Sequence, residues 1–288
     1  MPASAEITPA VTNFGRTDDV RKDAWEQYAA AGGFEPIRGL NETAAMWDVL
    51  PIGLQRSVMP RLIALVKEDV PLRWTDLGTG DGFIIDRLRK PLADAGLREV
   101  EVDGIDLAEK FLALAQTNLV LPAEIASSFR IRLVQANLVE GLPFYEYGTR
   151  HLITANYISP YVSAEEQRRL FGEAQRVLVP GGIFAVGSFV TGEEGTPATF
   201  RAMAEHALRN EPDEGKRTAF LEVMPQIAPL MVGHAAEGRM YNPTMSELNN
   251  WLGEAGFSEV VEINRFGFED VAATALPNPF IVAFMAVK

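Results

Sequence analysis

The chain has 288 residues, of which 47% are hydrophobic and 23% are charged, the balance of an ordinary globular protein. Acidic residues outnumber basic ones by 39 to 26, and the resulting formal net charge of −13 disfavours a nucleic acid as partner. The absence of cysteine excludes disulfides, thiolate metal ligands and cysteine nucleophiles. No apolar run reaches the roughly 20 residues that cross a bilayer, and no secretory signal is visible at the N-terminus. We therefore expect a cytoplasmic protein that does not enter a membrane.

The N-terminal quarter of the chain is predicted to be helical. Residues 1–17 show no periodicity and are expected to fray. Residues 17–33 predict a helix, because acidic side chains stand in its first turn and glycines follow its end. A second helical region, interrupted by two prolines, is predicted between 41 and 68. Together these residues form the expected N-terminal helical cap, assigned to 1–70.

Beyond residue 70, short apolar runs alternate with helix-like segments. The first five runs are LRWTDL, EVEVDGI, IRLVQ, HLITA and GIFAVGSF, and two more, VVEINRF and PFIVAFMAV, follow near the end. This alternation predicts βαβ units, and hence an α/β fold with a parallel sheet of seven strands. Ser163 with Glu166, and Thr244 with Glu247, form capping-box signatures at the starts of two predicted helices.

The alternation stops between residues 191 and 243, which separate the two parts of the predicted core, 71–190 and 244–288. Because this insertion follows the fifth strand, it is expected above the carboxyl ends of the strands, where open α/β sheets bind ligands. We interpret it as a helical lid or substrate cap; the alternative is a packing insertion without ligand contact. His234 lies within it and is a candidate general base. On the other side, Trp25 and Tyr28 share one face of the first helix and are candidates to close the site.

The clearest motif is DLGTGDG at residues 76–82, between an apolar run and a helical segment. A strand that turns into a helix through glycines lets a ligand approach the backbone and the helix N-terminus. The spacing is G-x-G-x-G with an acid two residues earlier, whereas a dinucleotide fingerprint is G-x-G-x-x-G. The motif therefore argues against a nicotinamide cofactor, although a glycine-rich turn without a ligand remains an alternative.

A second carboxylate, Asp106, ends the next predicted strand. At the tip of the second strand such a group can accept hydrogen bonds from both ribose hydroxyls of a nucleoside. Asp103 is a competitor for this role, but it lies inside the strand pattern and is interpreted as a surface or turn residue.

These motifs resemble the class I S-adenosylmethionine (SAM)-dependent methyltransferases along residues 72–190 and 244–288. The resemblance rests on five ordered matches: DLGTGDG (76–82), IDL (105–107), QANL followed by GLPF (135–144), HLITANY (151–157) and RVLVPGG (176–182). It implies a Rossmann-like, mostly parallel seven-stranded sheet with an antiparallel last strand, helices on both faces and a helical lid insertion. It also implies SAM as cofactor and S-adenosylhomocysteine (SAH) as product.

The resemblance assigns roles to particular residues. The glycines would surround the methionine part of SAM, Asp76 would organise the loop or meet the amino group, and Asn137 stands where the family has an adenine-binding Asp. The implied cofactor-binding residues are Asp76, Gly78, Thr79, Gly80, Gly82, Asp106, Leu107, Asn137, Leu138 and Asn156. Tyr157 and Tyr161, at the exit of the fourth strand, are candidates for shaping the methyl-transfer site, or are ordinary packing residues. Asn156 stands where metal-dependent relatives have Asp, so no metal ion is expected.

The predicted function is therefore SAM-dependent methyl transfer to the O, N or C atom of a small molecule, in secondary or specialised metabolism. Positioning would supply most of the catalysis, and a general base is needed only if the acceptor must lose a proton. Two alternatives stay open: a SAM-fold protein that uses SAM for another reaction, and an NAD(P)-dependent oxidoreductase. The sequence indicates neither the acceptor nor the oligomeric state.

Overall fold

The computed structural model describes residues 6–8, 19–30, 46–66, 70–158, 161–191, 205, 208–209, 211–222, 241–267 and 281–288. Most of the predicted lid at 191–243, including His234, lies outside these residues, and so does the side chain of Tyr28.

Within the described residues, eight strands form one sheet in the order β1-β4-β3-β2-β5-β6-β8-β7. Only β8 runs antiparallel to its neighbours, β6 and β7. The strands are β1 (Glu6–Thr8), β2 (Leu72–Leu77), β3 (Val100–Asp106), β4 (Phe129–Gln135), β5 (Arg150–Asn156), β6 (Leu178–Phe189), β7 (Glu259–Phe266) and β8 (Ile281–Val287). The seven predicted strands and the antiparallel last strand are thus confirmed.

The eighth strand corrects, for residues 6–8, the expectation that residues 1–17 fray; the rest of that range lies outside the described residues. Glu6–Thr8 forms β1 and pairs in parallel with β4, with Glu6 opposite Arg132. The pairing uses backbone groups at a sheet edge, which need no hydrophobic periodicity in the added strand. Sequence periodicity therefore could not reveal it.

Seven α-helices are bounded in the described part of the chain. They are α1 (Asp19–Ala30), α2 (Val49–Gly53), α3 (Met59–Leu65), α4 (Phe83–Asp94), α5 (Glu109–Asn118), α6 (Ala164–Val177) and α7 (Met245–Glu254). A π-helical turn, Leu54–Val58, joins α2 to α3 without a break. Pro51 and Pro60 stand in the first turns of α2 and α3, where a missing N–H costs little, so the predicted interruption does not occur.

Helices cover both faces of the sheet. The apolar side chains of α2 to α5 share one buried cluster with the sheet, and those of α6 and α7 share another. Along β8 the two clusters alternate residue by residue, as a strand buried on both faces requires. Both predicted capping boxes, Ser163 with Glu166 and Thr244 with Glu247, are formed at the starts of α6 and α7. None of the helices in the described residues is long and apolar enough to span a membrane.

Asp103 was expected at the surface or in a turn, and this expectation is wrong. Its side chain is buried, and its carboxylate accepts from Arg132 at 2.7 and 2.8 Å, from Arg150 at 2.7 Å and from the Tyr145 hydroxyl at 2.7 Å. A buried carboxylate is tolerated when several donors surround it. These donors come from other parts of the chain, which is why local sequence did not show the burial.

Candidate cofactor and acceptor site

A pocket opens at the carboxyl ends of β2, β3 and β5, which are neighbours in the sheet. It holds about 940 Å³ of empty space, counting the part open to solvent. Ten of the predicted site residues line it: Gly78, Thr79, Gly80, Asp106, Leu107, Asn137, Leu138, Asn156, Tyr157 and Tyr161. The structure therefore brings the separate sequence motifs together around one cavity.

The glycine loop between β2 and α4 has a backbone that other residues rarely adopt. Gly78, Gly80 and Gly82 have φ angles of 63°, 55° and 86°, in the left-handed region. A Cβ atom at Gly78 would lie 2.8 Å from Cγ1 of Ile158, so the loop also packs closely against the segment after β5. The amide of Thr79 donates to the Ile105 carbonyl at 2.9 Å. The loop is thus held open toward the pocket.

Asp106 lies at the end of β3 and holds two loops with its carboxylate. Oδ2 accepts from the Gly80 amide at 2.9 Å, and Oδ1 accepts from the Ala108 amide at 3.0 Å. Burial raises the pKa of Asp106 to about 6, although these two amide hydrogen bonds act in the opposite direction. Each oxygen keeps further acceptor capacity, so both can still accept from ligand hydroxyls.

Asp76 lies beneath the loop rather than in the pocket lining, and its side chain is 0% exposed. Oδ1 accepts from the Thr154 hydroxyl at 2.6 Å, and Thr154 in turn accepts from the indole of Trp74 at 2.8 Å. Oδ2 has no hydrogen-bond partner among the described residues. Burial raises the pKa of Asp76 to about 7, although the hydroxyls of Thr154 and Thr79 act in the opposite direction. Its position suits a role in organising the loop.

Asn137 follows β4 and caps the short 3₁₀ turn Leu138–Glu140. Its side-chain oxygen accepts from the Val139 amide at 3.3 Å, and its side-chain nitrogen lies 3.5 Å from Oε1 of Glu140. An amide oxygen has two lone pairs, so this cap still leaves one acceptor position. Leu138 and Val139 complete an apolar part of the lining beside it.

The exit of β5 carries Asn156, Tyr157 and Tyr161. The side-chain oxygen of Asn156 is buried and finds no partner in the described part of the chain. Tyr157 has a φ of 57°, although it carries a bulky side chain, and its hydroxyl donates to the Met46 carbonyl. Such backbone strain often marks a functional site. Burial raises the pKa of Tyr157 and of Tyr161 well above the usual value, so neither phenol is suited to act as a base.

An aromatic wall, defined as Trp25, Trp47, Tyr157 and Tyr161, lines the same pocket as the glycine loop. Trp25 meets Tyr161 edge-on with ring centroids 4.3 Å apart, and Trp47 meets Tyr157 edge-on at 5.0 Å. Trp25 was expected near the site from the sequence. Trp47 was not, since no motif surrounds it and it enters the pocket only because the helical region after residue 45 packs on the sheet.

A metal site is not supported by the described residues. They contain no group of three or more His, Asp or Glu side chains that could hold an ion. His151, one of the three histidines, lies at the opposite end of β5, where its Nδ1 accepts from the Arg73 amide at 3.0 Å.

The fold is a Rossmann-like α/β fold, and the pocket lies at the carboxyl ends of its parallel strands. Residues 75–182 match the family model of the methyltransferase domain. The match spans 108 of the 288 residues, so this part of the chain is similar to methyltransferase domains. The comparison with curated protein sequences finds no match.

Three solved structures share the fold at low sequence identity. Magnesium protoporphyrin IX methyltransferase from Synechocystis, with bound SAH, is 17% identical; the match covers 93% of this chain and 99% of that one, with a TM-score of 0.50. The methyltransferase in complex with the Trm112 methyltransferase activator of Haloferax volcanii is 14% identical over 91% and 96%, at 0.54. Phosphoethanolamine N-methyltransferase 2 of Haemonchus contortus is 14% identical over 93% and 60%, at 0.53. At these identities the likeness establishes the fold alone.

Proposed function

We propose that the protein methylates a small, largely apolar molecule bound against the aromatic wall. The observation that carries the proposal is that one pocket joins the glycine loop and Asp106 to that wall. Lys, Arg and His are absent from the described residues that line the pocket, so this lining does not suit a phosphorylated acceptor. The assignment of residues 1–70 to a cap and of 191–243 to a lid remains part of this proposal.

The residues present fit SAM as the occupant of the cofactor side. Asp106 would accept from the ribose hydroxyls, the glycine loop would admit the methionine part, and Asn137 with Leu138 would border the adenine. The carboxylate of Asp106 supports the fit, because each of its oxygens accepts from one amide and can accept a further hydrogen bond from a ligand hydroxyl. When bound, SAM supplies a methyl group activated by a positively charged sulfur.

Positioning and exclusion of water are the contributions of the protein in this proposal. Tyr157 fixes the wall from two sides, because its amide donates to the Gly187 carbonyl at 2.8 Å and its hydroxyl donates to Met46. Trp47 and Phe189 pack against its ring. An acceptor that is already nucleophilic needs no general base. For an acceptor that must lose a proton, His234 remains our proposed base.

Two of the structural neighbours are methyltransferases named for a magnesium porphyrin and for phosphoethanolamine. Such different molecules show that the fold does not select the acceptor. One neighbour is bound to an activator protein, so a protein partner is a second possibility to test here.

The test is conversion of SAM to SAH in the presence of apolar and of phosphorylated small molecules, followed by mass spectrometry. We expect SAH to form only with apolar acceptors. Asp106→Ala should weaken SAM and SAH binding alike by about 1.5–3 kcal/mol, since hydrogen bonds to a charged group are lost. Asp94→Ala, which removes an exposed carboxylate paired with Lys90, is the matched control and should leave both affinities unchanged.

Two results would contradict the proposal. Equal affinity in the wild type and in Asp106→Ala would place the ribose contact on another residue. Tight SAM binding with no SAH from any acceptor, with or without added cell extract to supply an activator, would indicate a different reaction at this site.

A further inference from the structure

The N-terminus of α5 is capped by a side chain from another helix. Ala108 occupies the N-cap position and offers no side-chain acceptor for the free amides of the first turn. Instead, the carboxylate of Glu26 in α1 accepts from the Glu109 amide at 2.6 Å and from the Lys110 amide at 3.2 Å. A negative charge at this end of a helix is favoured by the helix dipole. Helix α1 is therefore attached to α5 through one carboxylate.

The N-terminus of α5 also contacts Asp106, the carboxylate that we propose to bind the ribose. The amide of Ala108, directly before the two that Glu26 binds, donates to Asp106. Three consecutive amides are thus divided between the proposed ribose-binding carboxylate and the carboxylate of α1. The attachment point of α1 is one residue away from the cofactor site.

The residue before Glu26 reaches the other side of the pocket. Trp25 packs edge-on against Tyr161, after β5, with ring centroids 4.3 Å apart, and both side chains line the pocket. An edge-to-face pair of this kind adds to the apolar burial of the two rings. Consequently α1 is bound at both rims of the pocket: through Glu26 after β3, and through Trp25 after β5.

We propose that Glu26 is a positioning residue that holds α1 across the pocket and thereby slows release of the bound cofactor. A molecule bound beneath α1 would leave faster once the Glu26 hydrogen bonds or the Trp25 contact are broken. The proposal rests on the SAM site of the proposed function but not on the acceptor. It can therefore be tested with SAH alone.

The experiment measures the dissociation rate of SAH by stopped-flow displacement in the wild type and in Glu26→Ala. Loss of a helix cap corresponds to a factor of about 2 to 30, so we expect the dissociation rate to rise within that range. Hydrogen exchange at the Glu109 and Lys110 amides should accelerate in the same variant. Glu26→Gln keeps one acceptor oxygen and should restore part of the slow release. Gln27→Ala, at an exposed position of α1, should behave as the wild type.

The proposal is overturned if Glu26→Ala frees the two amides while the dissociation rate of SAH stays unchanged. It is also overturned if the amides remain protected, since Glu26 would then not be the cap. Should Glu26→Ala melt at a much lower temperature, Trp25→Leu serves as second variant, because it breaks the other attachment and leaves the cap intact. Faster SAH release in Trp25→Leu supports the proposal, and unchanged release overturns it. A failure to methylate apolar acceptors affects none of these readouts.

Discussion

Asp76 and Asp106 are two carboxylates beside the glycine loop, and they differ in the hydrogen bonds that they accept. Asp106 accepts from two amides, whereas fully buried Asp76 accepts from one hydroxyl and has one unpartnered oxygen. Ionisation of Asp76 is therefore costly in the ligand-free protein, while a positively charged ligand nearby would favour it. Asp76 thus links the charge of the ligand to the stability of the loop.

Asp76→Asn should stabilise the ligand-free protein at neutral and higher pH. The pKa of Asp76 is raised from 3.8 to about 7 in the folded state, so its stability contribution is complete below pH 3.8 and is lost as the pH rises toward 7. At pH 8 the loss is on the order of 4 kcal/mol as an upper limit. The difference in unfolding free energy between Asp76→Asn and the wild type should grow from near zero at pH 4 to a few kcal/mol at pH 8.

Urea denaturation across this pH range measures the difference. Asp94→Asn, an exposed residue in an ion pair, is the control and should give a nearly flat profile. A difference for Asp76→Asn that does not change with pH would mean that Asp76 is ionised throughout, and hence has a partner near its second oxygen.

At the level of elements, the role of the glycine loop in binding can be tested by comparing a substitution at Gly80 with the same substitution at a glycine outside the pocket. Gly80 and Gly96 both have left-handed backbones, with φ of 55° and 85°, but only Gly80 lies in the pocket. A Cβ at Gly96 would meet nothing within 4 Å. Valine at either position should therefore cost about 1–2 kcal/mol of stability through backbone strain. Only Gly80→Val should also abolish SAH binding, as measured by calorimetric titration.

If Gly80→Val binds SAH with the affinity of Gly96→Val, the loop does not contact the cofactor. If both variants lose binding equally, the loss reflects a general weakening of the fold. Only a loss confined to Gly80→Val supports the assignment of the loop.

The elements that the sequence predicted are those with local signals. Alternating apolar runs marked seven strands, and Ser163 with Glu166 marked the start of α6, because each signal lies within a few residues. The missed features all depend on contacts between distant residues. Asp103 is buried by arginines from β4 and β5, and Glu26 caps a helix 83 residues further along.

The residues of the candidate site also fall into two groups: those with a local sequence signal, and those that contacts between distant residues bring to the site. Glycine spacing and the acid at the end of β3 predicted the cofactor side, because the glycine loop and this carboxylate occupy fixed places in the βαβ unit. Trp47 could not be found, since only packing of the helical region on the sheet brings it to the pocket. Tyr157 was named for its place after β5, but its strained backbone and its bond to Met46 are visible only in the structure.

For the whole molecule, the pocket is lined by residues that belong to or pack against the two buried clusters that share the central sheet, such as Trp47 and Leu138. A ligand that binds only the folded state stabilises it by about 2.7 kcal/mol at a concentration of 100 times its Kd. SAH at that concentration should therefore raise the melting temperature by several degrees, as followed by calorimetry. NADH at equal concentration is the control and should have no effect. A shift with NADH and none with SAH would point to the nicotinamide alternative.

The pairing of β1 with β4 has a consequence for the order of events during synthesis. Glu6 leaves the ribosome early, but its neighbour Arg132 in the sheet is made much later, and α1 likewise waits for α5. The N-terminal segment must therefore dock onto a core that has already begun to assemble. Until it docks, the nascent chain presents an open cleft, so a cofactor molecule can enter before α1 closes over it. Docking of β1 and α1 thus follows the synthesis of β4 and α5, and we expect changes in α1 to affect how long a bound cofactor is retained before they affect whether the chain folds.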